Sequence, residues 1–153
     1  MIITREYFEN YSCLESRIKS IRRRLKYFEE HPLASSHGVV KGSMASFPYA
    51  QCHFVVSGAD VKSDEERNKK ISQLIIELRS KEMQLEEMKL DIELFVERTD
   101  ILNFEESTIL RLKYIDGYTD EMIGEELGFD RSTISKKIDR IIEKCELSHK
   151  SHF

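Results

Sequence analysis

The sequence predicts a mainly α-helical protein, and three patterns carry that prediction. Two long stretches place apolar residues at alternating spacings of four and three, which is the heptad pattern of paired helices. A third stretch, near the C-terminal end, has three short helical periods separated by glycine-containing turns. Together they predict a long antiparallel helical (coiled-coil) hairpin with a short β-containing loop, followed by a compact domain of three short helices.

The first long helix is expected near the N-terminal end, with basic residues around its circumference. These basic residues fit either a solvated helix face or a nucleic-acid contact, and the solvated face is favoured. They are Lys19, Arg22-Arg23-Arg24 and Lys26. The expected inner face consists of Tyr7, Tyr11, Leu14, Ile18, Ile21, Leu25 and Phe28.

Residues 31–62 form the loop between the two long helices. They contain both prolines and three of the glycines, and the weak alternation from Gln51 to Ser57 predicts a short β-hairpin. The aromatic cluster Phe47-Pro48-Tyr49 either caps the end of the helical hairpin or forms a docking surface, and capping is favoured.

The second long helix has a heptad seam of its own, interrupted by Lys81, a polar residue of the kind that sets register or pairing. Each apolar seam has to be covered. The two helices pair either within one chain or between chains, and we expect a homodimer, with a monomer as the alternative. The residues expected to carry oligomerisation are Leu74, Leu78, Leu85, Met88 and Ile92.

Two short helices and two turns open the C-terminal stretch. Asp116-Gly117 is expected to end the first helix, because glycine accepts the left-handed conformation that closes a helix. Thr119 is the expected N-cap of the second helix, and Gly128 makes the turn that follows. Gly124 stands where a side chain would block close packing of the helices.

The third helix of this stretch has an apolar and a basic face. Asp130 is its expected N-cap, and its inner face is formed by Ile134, Ile138, Ile141 and Ile142. A tight turn before a helix with polar and basic residues outside is the pattern of a helix-turn-helix, whose last helix enters the major groove of double-stranded DNA. The alternative is an ordinary solvated bundle. The expected DNA-binding residues are Arg131, Ser132, Thr133, Ser135, Lys136, Lys137 and Arg140.

Two segments resemble known families. One resembles region four of sigma-70-type factors, and the matching residues are Leu112, Tyr114, Asp116, Gly117, Glu121, Ile123, Gly124, Leu127, Gly128, Ser132, Thr133, Ile134 and Lys136. The other, with Val40-Lys41-Gly42-Ser43, Ser46-Phe47-Pro48-Tyr49 and Val56-Ser57-Gly58, resembles small phage and prophage regulators of Gram-positive bacteria, of the ArpU type. The resemblances cover roughly residues 38–146 and imply a transcription regulator that acts with RNA polymerase.

Nothing in the chain resembles the sigma-factor region that melts the promoter, so an accessory regulator is expected rather than a complete sigma factor. Two alternatives stay open: a small terminase-like DNA-packaging subunit, which a ring of subunits would favour, and a polymerase-binding module without DNA contact. The expected domains are residues 1–100 and 101–147, followed by a tail, 148–153. A fragment starting near Thr99 is expected to fold alone.

Composition and charge narrow the function further. The formal net charge is −4, but Arg131 to Lys144 holds five basic and two acidic residues, so modest intrinsic affinity for DNA is expected. No apolar run is long enough to span a membrane and no signal peptide is visible, which favours a cytoplasmic protein. The three cysteines are widely spaced, so a disulfide framework is not expected. No metal-ligand, phosphate-loop or catalytic motif is present. Neither an enzyme nor a cofactor is expected.

Overall fold

The computed structural model describes residues 3–32, 40–41, 54–55 and 61–151, and over these residues the chain is mainly helical. No helix in this described part combines the length and the apolar character needed to cross a membrane. The elements are α1 (Arg5–Glu30), β1 (Val40–Lys41), β2 (Phe54–Val55), α2 (Val61–Arg98), α3 (Phe104–Leu110), α4 (Asp120–Leu127) and α5 (Arg131–Lys150).

The two short strands pair antiparallel, with Val40 opposite Val55 and Lys41 opposite Phe54. Within the predicted loop, residues 33–39, 42–53 and 56–60 lie outside the described residues, and Val61 already begins α2. The aromatic cluster Phe47-Pro48-Tyr49 lies outside the described residues. So does most of the segment that resembles ArpU-type regulators.

The chain divides into two compact units. The central unit is Leu14–Gln84, and the terminal unit combines Met1–Cys13 with Leu85–Phe153. Each unit contains a part of α1 and a part of α2, because the division crosses both long helices.

The central unit is built from the heptad positions of the two long helices. Nε of Arg17 lies 2.7 Å from Oε1 of Glu77, and Nη2 of Arg67 donates a 2.8 Å hydrogen bond to the carbonyl of Phe28. Arg17, near the start of this part of α1, thus contacts Glu77, near the end of this part of α2. Phe28, near the end of α1, contacts Arg67, near the start of α2. The two segments therefore run antiparallel. The buried residues include Leu14, Ile18, Ile21, Leu25, Leu74, Ile75 and Leu78.

The residues predicted for oligomerisation are covered within the single chain. Leu74 and Leu78 are buried in the central unit, and Ile92 is buried in the terminal unit. Leu85 and Met88 are partly buried and pack against the core of the terminal unit. The homodimer stays a prediction, and these side chains offer little free surface to a partner.

The core of the terminal unit draws on both ends of the chain. The Tyr11 hydroxyl donates a 2.7 Å hydrogen bond to the carbonyl of Tyr114, and the rings of Phe8 and Tyr114 lie 4.8 Å apart. The residues after Thr99 do not complete this core alone, so the expectation that a fragment starting near Thr99 folds by itself loses its physical basis. The contributors from outside that stretch are Ile3, Phe8, Tyr11, Ile92 and Val96.

Most of the predicted turns and caps are confirmed. Gly117 and Gly128 have φ angles of 74° and 79°, the left-handed region that favours glycine. The Thr119 hydroxyl accepts a 3.2 Å hydrogen bond from the N–H of Met122, which caps α4. Asp130 occupies the N-cap position of α5, but its side chain makes no capping hydrogen bond.

The first short helix ends at Asp116-Gly117 as predicted, but its last turn is wider than an α-helical turn. Residues Arg111–Ile115 continue α3 as a π-helical turn, in which the N–H of Asp116 donates a 3.0 Å hydrogen bond to the carbonyl of Arg111. The N–H of Tyr118 then reaches the carbonyl of Leu112 at 2.9 Å. This wider turn contains Tyr114, which is buried and contacts the aromatic residues of α1.

Candidate nucleic-acid interface

Helices α4 and α5 are joined by a tight turn. The carbonyl oxygen of Gly124 accepts 2.8 Å hydrogen bonds from the N–H groups of both Gly128 and Phe129. Only three residues separate the end of α4 from the start of α5. Ile123 on α4 and Ile134 on α5 are both fully buried, so the two helices share one core on their inner faces.

Four of the seven predicted DNA-binding residues are exposed on α5, namely Arg131, Ser132, Lys136 and Arg140. Ser132, Lys136 and Arg140 recur every four residues, which places them on one side of the helix. That side is opposite the buried isoleucines. These side chains are therefore free to meet an external partner.

Thr133, Ser135 and Lys137 are half-buried instead. The Ser135 hydroxyl donates a 2.6 Å hydrogen bond to Oδ2 of Asp120 at the start of α4. Nζ of Lys113 donates a 2.6 Å hydrogen bond to the other oxygen, Oδ1. The hydroxyl of Ser135 thus holds α5 to α4 and is already occupied.

The same contacts set the charge of Asp120. Partial burial acts to raise the pKa of this carboxyl, but the hydrogen bonds from Lys113 and Ser135, with the positive charges of Lys113 and Arg131, outweigh it. The pKa of Asp120 is held below its ordinary value of 3.8 as a result. The Asp120 carboxyl group is therefore ionised at neutral pH and keeps its ion pair with the Lys113 ammonium.

Lys137 is engaged by two neighbours. Its Nζ lies 2.6 Å from Oε1 of Glu105 on α3 and 4.6 Å from the centre of the Phe129 ring. The lysine thus ties α5 to α3 and to the turn. Sequence reasoning assigned Lys137 to the outer face because the Glu105 partner is 32 residues away and no local pattern links the two.

A further residue near α5 was missed by sequence reasoning. The guanidinium of Arg5, on the first turn of α1, lies 3.7 Å from Oδ1 of Asp139 and 3.9 Å from Oε1 of Glu143. All three side chains are more than a third exposed, so these ion pairs contribute little to stability. Arg5 nevertheless places a positive charge beside Asp139 and Glu143, two acidic residues that would repel an approaching polyanion.

Charge is distributed unevenly between the two units. The terminal unit has 11 lysines and arginines against 19 aspartates and glutamates, a formal charge of −8. The central unit has 13 against 9, a formal charge of +4. The exposed basic side chains of α5 are thus a local feature of an acidic unit.

Metal ligation finds no support in the described part of the chain, where no group of three or more His, Cys, Asp or Glu residues is arranged to hold an ion. Cys52, His37 and His53 lie outside that part.

Comparisons of the chain with protein-family models, with curated proteins and with solved structures found no match.

Proposed function

We propose that the protein is a sequence-specific regulator of transcription that binds double-stranded DNA. In this proposal α4, the turn at Gly128 and α5 act as a helix-turn-helix, and α5 enters the major groove. The antiparallel parts of α1 and α2 act as a coiled-coil hairpin with a short β-containing loop. The resemblances to region four of sigma-70-type factors and to ArpU-type regulators support a phage or prophage regulator, with RNA polymerase as a further partner.

The observation that supports this proposal best is the outer side of α5. Ser132, Lys136 and Arg140 are exposed and aligned, and hydroxyl, ammonium and guanidinium groups are the types that reach phosphates and base edges. Arg131 adds a positive charge at the start of the helix. Arg131 and Arg140 are both candidates for base reading, because a planar guanidinium is suited to a bidentate contact with guanine.

The net charge of −8 on the terminal unit limits how tightly a single copy would bind DNA. Phosphate contacts supply most of the non-specific affinity of DNA-binding proteins, and that affinity rises with the number of cationic contacts. A homodimer with two reading helices, or a joint complex with RNA polymerase, would raise the affinity through effective concentration. We therefore propose a homodimer as the active form.

The test is selection of bound duplexes from a random DNA library, followed by binding measurements on the selected site. Replacing Lys136 and Arg140 with Ala is expected to lower affinity for that site by at least tenfold, because each base-reading contact is worth ~1–3 kcal/mol. Lys69→Ala with Lys150→Ala removes the same charge from two other exposed positions, so it is the matched control and should bind like the wild type. Enrichment of no sequence, or equal affinity of the double variant, would refute DNA reading by α5.

A further inference from the structure

The central unit concentrates its positive charge on one stretch of α1. From Arg17 to Lys26 there are six lysines and arginines and no acidic residue. All six side chains are exposed. The stretch lies in the unit with a formal charge of +4, so its charge adds to a cationic surrounding.

Only part of this charge is neutralised within the protein. Arg17 pairs with Glu77 at 2.7 Å, and Arg22 pairs with Glu82 at 2.6 Å. Lys26 lies at a looser 3.8 Å from Glu30. Within residues 3–32 and 61–151, the structure gives Lys19, Arg23 and Arg24 no ion pair, and Arg24 contacts aromatic rings instead.

Two of the unpaired cations, Lys19 and Arg23, share one side of the helix with the loosely paired Lys26. Lys19, Arg23 and Lys26 have spacings of four and three, so they form a row, the basic stripe, on the side away from the buried Ile18 and Ile21. The row extends along about 10 Å of helix axis. Over that length one strand of DNA presents about three phosphates.

Aromatic side chains stand next to the basic stripe. The ring of Tyr27, one turn beyond Arg23, is 46% exposed and stacks on His31 with centroids 4.3 Å apart. The guanidinium of Arg24 lies 4.9 Å from the centre of the Tyr27 ring and 4.4 Å from that of Phe28. Cation–π contacts of this kind hold the Arg24 guanidinium in place beside the stripe.

We propose that the basic stripe is a second DNA contact, which binds the sugar-phosphate backbone and carries no sequence preference. This inference rests on the proposed DNA-binding function. Its physical basis is the division of charge. The unit that contains α5 is strongly acidic and repels a polyanion at long range, whereas among the described residues Lys19 and Arg23 have no ion pair and Lys26 has only a 3.8 Å contact with Glu30. Backbone contacts position a protein on the duplex, and base contacts specify the sequence.

The experiment compares the full chain with a variant in which Lys19, Arg23 and Lys26 are replaced by Gln. The control replaces Lys69, Arg98 and Lys150 by Gln, which removes the same charge from exposed positions scattered over the chain. Fluorescence anisotropy measures binding to a selected duplex and to an unrelated duplex of equal length, over a range of salt concentrations. Circular dichroism checks that all proteins keep the same helicity.

The stripe variant should lose affinity for both duplexes by the same factor and become less sensitive to salt. Each lost phosphate contact lowers the salt slope by about 0.9, so three contacts make the wild type lose ~40-fold more affinity than the variant between 50 and 200 mM salt. The control should retain most of the wild-type slope. A stripe variant with wild-type affinity and slope, or a control with an equal loss, overturns the proposal; the first result would point to an acidic protein as the partner.

Failure of this inference is distinguishable from failure of the proposed function. If only the basic stripe bound DNA, the stripe variant would lose affinity for both duplexes. The variant with Lys136→Ala and Arg140→Ala would then bind both duplexes like the wild type. That result would keep the second DNA contact and remove the reading role of α5. The reverse pattern would keep the proposed function and remove the stripe.

Discussion

The carbonyl group of Phe129 occupies the space in which a side chain on Gly124 would lie. A Cβ built on Gly124 would approach the Phe129 oxygen to well under 3.0 Å, a distance that real Cβ atoms do not adopt. The same glycine accepts backbone hydrogen bonds from Gly128 and Phe129. The tight connection between α4 and α5 thus depends on the absence of one methyl group.

Replacement of Gly124 by Ala is expected to lower the free energy of unfolding by about 1–3 kcal/mol, because the added Cβ meets backbone that has to shift. Urea unfolding followed by circular dichroism measures the change. Gly117→Asn is the control: it also alters a turn glycine, but a Cβ at Gly117 meets no atom within 4 Å, and Asn tolerates the left-handed conformation. Equal stability of Gly124→Ala and the wild type would contradict the packing argument.

The turns and helix caps of this region could be predicted from the sequence, whereas the exposure and the partners of individual side chains could not. Gly117, Gly128 and Thr119 were identified because turn and cap chemistry depends on a few neighbouring residues. Ser135 and Lys137 were assigned to DNA because helical periodicity does not reveal their partners. Those partners, Asp120 and Glu105, are brought together only by the packing of α3 and α4 on α5.

The same limit applies to the long helices. Their apolar spacing predicts which residues face inward, but it does not specify what covers them. Leu74 and Leu78 are buried within the central unit, although the pattern alone was also compatible with burial between two chains. The division into units at residues 13–14 and 84–85 is likewise invisible, because no glycine or proline marks either position.

Asp120 gives a prediction about pH. Its pKa in the folded state lies below the ordinary value of 3.8, so the ionised carboxylate stabilises the fold above that value, and the stabilisation is lost as pH falls through the folded-state pKa. Asp120→Asn should lower the free energy of unfolding by ~1–2 kcal/mol near neutral pH, since a charge-assisted hydrogen bond is lost. The gap between variant and wild type should shrink as pH falls below 3.8.

Urea unfolding of both proteins across this pH range measures that gap. The matched control is Asp116→Asn, an exposed carboxylate for which the described residues provide no ion pair. It should have nearly the same free energy of unfolding as the wild type near neutral pH. A constant gap for Asp120→Asn down to the most acidic condition would contradict the role of its charge.

The proposed homodimer requires an apolar surface other than the predicted seam. Ile76 and Met83, both in the central unit, are 69% and 66% exposed and lie seven residues apart on α2. We expect Ile76→Asp with Met83→Asp to convert a dimer to a monomer without loss of helicity. Leu78→Asp should instead unfold the chain at any concentration, because Leu78 is buried and a charge there has no partner.

Light scattering over a range of concentrations measures the mass of each protein. A wild type that stays monomeric at high micromolar concentration removes the dimer from the proposed function. A ring of many subunits would instead support the DNA-packaging alternative. A dimer that survives the double substitution would place the contact on another surface.

The last prediction concerns the independence of the C-terminal helices. A fragment that begins at Thr99 lacks Phe8, Tyr11 and Ile92, which are buried in the same core as Tyr114. Loss of such large apolar contacts typically costs several kcal/mol each, and a small domain has only about 5–15 kcal/mol of stability in total. The fragment is therefore expected to be largely unfolded, with weak helical circular dichroism and no cooperative thermal transition.

A longer fragment, Leu85–Phe153, restores Ile92 and Val96 but still lacks the first residues of α1. A peptide of residues 1–13 supplied in trans should bind this fragment and raise its helicity, because Tyr11 can then donate its hydrogen bond to the carbonyl of Tyr114. The same peptide with Phe8→Ala and Tyr11→Ala is the control and should bind far more weakly, since both rings that pack on Tyr114 are gone. A cooperative transition in the fragment from Thr99, with no gain from the peptide, would show that the three short helices form their own core.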